Sequence, residues 1–491
     1  MDIIGRKTEM KELQRYYDSG RPELIIVYGR RRVGKTYLIK EFFENNFAFC
    51  FTGTIGASNS EHLVNFDKAI IEFGGTVTRA SKNWSDAFDK LKALLIEKHG
   101  NPVSLKNSGN NGSPKDHMNP GIKSVVFFDE MPWIDARESD FMPAFDFFWN
   151  SWASAAPEIL FIGCGSATSW ITKKLFQNRG GLHNRITGRI YLAPFSLGEC
   201  EEFFKNRNIE ITRYQTAECY MIFGGIPFYL NLFHSDISFS QNVDRLCFAD
   251  KAPLRYEFEE LYRSLFKNPS RHIAIVEALS KRRAGMSREE LSKASNFPPN
   301  GHLTETLNEL EQCDFIEKYT DFTKRKNGSY YYLKDPFSMF YLEYMKNNNT
   351  QDEYFWTNYM EDGGHRAWSG YAFEQLCRTH VKQMKEKLGI LGVSTYTSSW
   401  RSKDATPGAQ IDLLINRRDG VINLCEMKYS KHPYVINKAE AAELERKKSV
   451  FLLETGAKSV IHITMVTTWG LEKKGYFSIA QAEVVLDDLF K

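Results

Sequence analysis

Leu24 to Tyr28 (LIIVY) runs without a break into Gly29-Arg-Arg-Arg-Val-Gly34-Lys35-Thr36, and YLIKEFFEN continues with helical spacing. A short, continuous apolar run is expected of a parallel strand buried on both faces. The turn that follows is G-x-x-x-x-G-K-T in the strand–loop–helix context that gives this pattern its meaning. Its glycines, Gly29 and Gly34, let the backbone curl so that N–H groups and the helix N-terminus face phosphate oxygens. Lys35 can then reach the β- and γ-phosphates, and the Thr36 hydroxyl can coordinate Mg²⁺. ATP and Mg²⁺ are the expected ligands.

A phosphate loop of this kind needs an acidic partner at the carboxyl end of a neighbouring strand, where open α/β sheets bind ligands. Val125 to Glu130 (VVFFDE) supplies it. Asp129 is expected to hold Mg²⁺, directly or through water, and Glu130 to polarise the attacking water. A third buried strand, Ile159 to Gly165, ends in Ser166-Ala-Thr168. Ser166 there could contact the γ-phosphate or its water, or it could cap a helix. Arg185 and Arg189 precede another strand-like run, Ile190 to Leu192. Either could bring positive charge to the transition state, and either could equally be a solvated arginine. A helix is expected over Ala87–His99. Residues 101–122, rich in Asn, Gly, Ser and Pro, read as a long surface loop within one sheet.

Length and composition bound the rest. A chain of 491 residues corresponds to roughly three domains at about 150 each. With Lys+Arg at 64 and Asp+Glu at 61, the net +3 supplies no global field for a polyanion, so any nucleic-acid surface must be local. Eight cysteines lack any C-x-x-C pair, which excludes a zinc spacing and suits a reducing compartment. The opening MDIIGRKTEMKEL is too charged for a signal peptide, and no apolar stretch is long enough to span a bilayer. The expected location is cytoplasmic, without membrane association.

The opening IIGRKTEMKEL, then GRRRVGKT, FFDEMPW and GSATSW, in that order, resemble the archaeal-type ATPase family, P-loop NTPases near the AAA+ and STAND groups. The resemblance covers roughly residues 1–235. It implies a five-stranded parallel core followed by a small helical lid, with Phe223-Gly-Gly-Ile-Pro227 in the lid segment. It also implies that Gly5 and Arg6, in the GR-x-x-E box, lie near the nucleotide base.

Residues 197–265 read as amphipathic helices. Beyond Pro269 come three short helices, Arg271–Ser280, Ser287–Ala294 and His302–Cys313, the second with Ser287 and Glu290 at capping-box spacing. Two strand-like runs, Phe315–Tyr319 and Tyr330–Leu333, then flank a basic turn carrying Lys324, Arg325, Lys326, Asn327 and Gly328. Three helices and a hairpin make a winged-helix pattern. The basic wing favours phosphate contact, whereas Glu305, Glu309 and Glu311 on the third helix would repel it. Lys267 to Asp335 carry 12 basic and 10 acidic residues, so a spacer or protein-docking role stands beside DNA binding.

Near the C-terminus, Gln410-Ile-Asp412-Leu-Leu-Ile and Val421-Ile-Asn-Leu-Cys-Glu426-Met-Lys428 read as two strands. An Asp embedded among Ile and Leu is costly to bury unless paired or metal-bound. Glu426 and Lys428, two apart, share one strand face. If Arg418-Asp419-Gly420 is a three-residue hairpin loop, Arg417 pairs with Val421 and Asp412 falls opposite Glu426. Cross-strand Cβ atoms about 5 Å apart would let the two carboxylates grip one divalent cation, with Lys428 beside it. These residues resemble the PD-(D/E)xK nuclease fold over roughly 366–491. The resemblance implies a catalytic set of Asp412, Glu426 and Lys428 with Glu374 as an accessory acid. Arg366 to Lys491 carry 19 basic and 14 acidic residues, a mild lean towards polyanions.

The expected fold is thus α/β: a P-loop NTPase with a parallel sheet (1–200) and helical lid (201–265), a winged helix (266–336), and an α/β restriction-endonuclease-like domain (337–491). The expected activity is Mg²⁺-dependent ATP hydrolysis coupled to a nuclease-like domain on nucleic acid. The alternative is a STAND-like, ATP-driven switch whose C-terminal module is inactive. Expected partners are ATP, DNA through the winged helix and C-terminal domain, and a further copy of the chain.

Overall fold

Leu24, Ile25, Ile26 and Val27 are all buried in strand β1 (Glu23–Tyr28), as a strand covered on both faces requires. β1 lies in a five-stranded sheet with β2 (Phe49–Thr52), β3 (Ser124–Asp129), β4 (Ile159–Gly165) and β5 (Gly188–Tyr191). The strand order is β2-β3-β4-β1-β5 and every pairing is parallel. β4 is therefore the shared neighbour of the strand that feeds the glycine-rich turn and the strand that ends in acid. The computed structural model describes residues 3–99, 123–135, 139–177, 181–182, 184–322, 329–348, 352–359, 363–402 and 405–491. The expected loop 101–122 and the basic turn at Lys324–Gly328 lie outside those residues.

The chain divides into two compact units, Met1–Ala193 and Pro194–Lys491. In the first, one face of the sheet is closed by an aromatic cluster that includes Phe49, Phe66, Phe88, Phe128, Phe145 and Phe161. Helices Asn59–Glu72, Trp84–His99 and Phe141–Ser151 supply the other side of that core. The helix expected from Ala87 starts three residues earlier, at Trp84. Its first amide donates to Asp140 at 3.0 Å and its indole N–H to Asn59 at 2.7 Å, while Asn83 caps the helix locally by accepting from the Asp86 amide at 2.8 Å.

In the second unit, residues 197–265 form helices opened by capping boxes at Ser196/Glu199, Thr212/Gln215 and Ser238/Gln241. Helices Pro269–Ser280, Arg288–Ala294 and Gly301–Gln312 follow, the second capped by Ser287 and Glu290 as expected. An antiparallel hairpin, β6 (Ile316–Thr320) and β7 (Ser329–Leu333), comes next. A second five-stranded sheet comprises β8 (Thr395–Arg401), β9 (Gln410–Arg417), β10 (Val421–Lys428), β11 (Val460–Thr467) and β12 (Ala482–Val485), ordered β12-β11-β10-β9-β8. The pairings among β8, β9 and β10 are antiparallel, and those among β10, β11 and β12 are parallel. The parallel step from β10 to β11 is made by the helix Lys438–Thr455. Among the described residues no helix is long and apolar enough to cross a membrane.

Candidate functional site

The turn after β1 needs its two glycines for different reasons. Gly29 has φ 145, and a Cβ there would stand 2.3 Å from the Leu192 carbonyl oxygen. Gly34, at φ 88, is the left-handed residue that opens the helix Lys35–Phe42. Lys35 is buried, and its ammonium donates to the carbonyls of Gly29 (3.1 Å) and Arg30 (2.8 Å). It is thereby held inside the loop it is expected to serve. The Thr36 hydroxyl donates to Asp129 at 2.8 Å, which brings the two expected Mg²⁺ ligands side by side. That pairing of a hydroxyl with a carboxylate suits a hard, oxygen-seeking cation.

Glu130 differs from the expectation that it ends the strand. β3 closes at Asp129, and Glu130 takes φ 48, a conformation uncommon for a side chain of its size. This left-handed step turns the chain directly into the short helix Met131–Ile134. Its amide donates to the Asp129 carboxylate at 3.0 Å. Ser166, at the end of β4, holds the Glu130 carboxylate twice, by its hydroxyl (3.0 Å) and by its amide (3.3 Å). Ser166 therefore grips the acid rather than capping a helix.

Arg6 is buried in a left-handed conformation at the start of the helix Lys7–Tyr17. Its guanidinium donates to the carbonyls of Val33 (3.2 Å) and Ala193 (2.7 Å), tying the glycine-rich loop to the end of the first unit. Gly5, just before it, has φ 65. Arg185 and Arg189 are both exposed, and Arg189 rests 4.2 Å from the centre of the Phe176 ring.

The second group of expected residues lies on β9 and β10. The ladder pairs Asn416 with Ile422, Ile415 with Asn423, Leu414 with Leu424 and Leu413 with Cys425. This is the register expected from the RRDG loop, with Gly420 at φ 87, and the next pair in line is Asp412 with Glu426. Glu374, on the helix Gly363–Thr379, lies close enough to both for their charges to act on it. Burial, and then the charge of Asp412, push its carboxyl up to about 8. Glu426 goes the other way. Burial opposes its ionisation, but Lys447 and Lys428 outweigh that and hold it below the usual carboxylate range. Their ammonium groups lie 2.8 and 3.0 Å from its oxygens.

Two cations in this group escaped sequence reading. Lys447 comes from the crossover helix, and nothing in its local pattern marks it. Arg378 stands four residues after Glu374, a spacing that puts both on one helix face and could have flagged it. Its guanidinium donates to the Asp412 carbonyl at 3.1 Å and lies 3.6 Å from the Asp412 carboxylate, which also accepts from Gln410 at 2.6 Å. Among the described residues no three His, Cys, Asp or Glu side chains converge on a single ion-binding point.

The model of an ATPase domain predominantly from Archaea matches residues 3–233, so the chain is similar to that domain over those residues. An uncharacterized protein of Methanocaldococcus jannaschii is 24% identical over 434 residues, 87% of each chain. An uncharacterized ATP-binding protein of the same organism is 55% identical over 43 residues, 9% of this chain and 73% of that one. Among solved structures, the Walker-type ATPase of Pyrococcus abyssi is similar at 19% identity and a TM-score of 0.49, over 70% of this chain and 97% of that one. The ORC2 protein of Aeropyrum pernix, in ADPNP–ADP complexes, is similar at 15% identity and a TM-score of 0.42, over 70% and 93%.

Proposed function

We propose that the P-loop unit binds ATP with Mg²⁺ and hydrolyses it, and that the C-terminal sheet is a PD-(D/E)xK nuclease-like domain acting on nucleic acid. The observation that carries the first half is the convergence of Lys35, Thr36, Asp129, Glu130 and Ser166 at the carboxyl ends of β1, β3 and β4. Lys35 and the loop amides bind the phosphates. Thr36 and Asp129 would hold Mg²⁺, which supplies charge neutralisation on the phosphate oxygens. Glu130 orients a water for in-line attack and accepts its proton, while Ser166 sets the direction of that carboxylate. Arg6 acts at one remove by fixing the loop, and Arg185 or Arg189 is available to add positive charge.

Replacing Lys35 by Ala is expected to weaken ATP binding by about 100-fold, the loss of a charge-assisted phosphate contact of roughly 3 kcal/mol. Equilibrium binding of a fluorescent ATP analogue measures it, and unchanged affinity would remove the loop from the reading.

For the C-terminal sheet, the support is a β9–β10 ladder that ends at Leu413 and Cys425 and that, continued by one pair, would set Asp412 against Glu426, with Lys428 on the face of Glu426. Asp412 and Glu426 would hold a divalent cation, and Lys428 would position a water or neutralise the scissile phosphate. Asp412→Asn is expected to abolish cleavage of single-stranded, duplex or branched DNA in Mg²⁺ or Mn²⁺ while leaving ATP turnover within about twofold, since the two sites occupy separate units. Lys428→Ala should slow cleavage and spare cation binding. A second reading, an ATP-driven switch with an inactive C-terminal module, draws on a different observation. Glu426 and Asp412 are already neutralised by Lys428, Lys447 and Arg378. Absence of cleavage on every DNA form, with and without ATP, would favour that reading. In either case we read residues 266–336 as a winged helix. Glu309 on its third helix bonds His272 at 2.9 Å, which favours a spacer over a groove-reading element.

A further inference from the structure

Arg378 is enclosed on every side, with 1% of its side chain exposed. The rings of Tyr332 and Tyr319, from the β6–β7 hairpin, lie 4.2 and 5.1 Å from its guanidinium carbon. On the other side stand Asp412, 3.6 Å away on β9, and Glu374, one helical turn back. Its Nη2 donates to the Asp412 carbonyl, but Nε and Nη1 have no acceptor at all. A buried guanidinium with two empty donors is an expensive way to fill space, and a Met or Leu would pack between two rings without that cost. What those residues lack is charge. The cation–π contacts and the adjoining carboxylates both favour a positive group at this point.

We propose that Arg378 is a resident counter-charge, a positioning residue that holds the Asp412 carboxylate in place in the cation-free protein and fastens it to the tyrosine hairpin. The assignment rests on the carboxylate reading above only in so far as a divalent cation can take over the same task. When a cation binds, its charge does from outside what the guanidinium does from within.

The test uses the full chain and its thermal unfolding in EDTA and in Mn²⁺, for wild type, R378K, R378M and R378M/D412N. In EDTA, R378M is expected to lower the melting temperature of the second unit by about 5 °C, because Asp412 loses its countercharge. Asn at position 412 removes the uncompensated charge, so R378M/D412N is expected to melt above R378M. Mn²⁺ should recover most of the loss in R378M and none in the double variant, while R378K, which keeps the charge, should lose less than half as much. A side chain that merely packed between rings would give the same loss whatever stands at 412 and whatever the cation, and that result overturns the proposal. Should R378M fail to fold, a folded R378M/D412N supports the assignment and an unfolded one overturns it. Rescue by D412N without any Mn²⁺ effect would discard cation binding and keep the counter-charge. Mn²⁺ protection of the wild type without rescue by D412N would do the reverse.

Discussion

Glu130→Gln is expected to keep ATP bound and to lower its turnover by about 100-fold or more. The substitution preserves shape and removes the ability to take a proton, and general-base catalysis is worth about 10²–10⁴ in rate. Two features make the acid the right residue to change. Its left-handed backbone, φ 48, throws the side chain off the line of β3, and Ser166 fixes where it ends up. Ser166→Ala should therefore lower kcat by roughly 10-fold with little change in KM, as expected when a reacting group is less well aimed rather than lost. Phosphate release under saturating ATP, beside equilibrium binding of the nucleotide, separates these outcomes. Full turnover in Glu130→Gln would take this residue out of the chemistry.

The second large effect is one of pH. With its carboxyl pushed up to about 8 by burial and by Asp412, Glu374 keeps a proton in the folded protein that the unfolded chain, near 4.5, gives up. Below about pH 4.5 both states are protonated and nothing is lost. Between 4.5 and 8 the unfolded state is progressively favoured, so stability falls as pH rises. By neutral pH the cost is on the order of 2–3 kcal/mol in the absence of a divalent cation. Glu374→Gln is expected to match the wild type at pH 5 and to melt several degrees above it at pH 8. Parallel melting curves of the two proteins at every pH would show that Glu374 is ionised or solvated instead.

Much of this was written locally in the chain. The strand–turn–helix around Lys35 is legible because every part of it is contiguous, and the β9–β10 register because a three-residue loop leaves no freedom to slip. The edge strand Phe49–Thr52 carries no such mark, since four residues are too few to show a period and its pairing to β3 comes from elsewhere in the chain. Glu130 read as a strand end because nothing in FFDEMPW announces a left-handed step. The charges that neutralise the second site were hidden for a plainer reason. Arg378 and Lys447 stand 34 and 21 residues from the acids they neutralise, Asp412 and Glu426. Distance in sequence carries no signal of distance in space.

β4 lies between β1 and β3, hydrogen-bonded to both. The separation of the phosphate loop from the two acids is consequently fixed by two ladders measured against one ruler: Tyr28 against Gly165, and Phe128 against Gly163. A slip of one residue in either would carry the acids about 3.3 Å along the strand and turn them to the opposite face. Whatever number of residues intervenes between the helix Trp84–His99 and β3 drops out of that measurement. Replacing residues 101–122 by a shorter Gly/Ser segment is therefore expected to leave the distance from the phosphate loop to Asp129 and Glu130 unchanged.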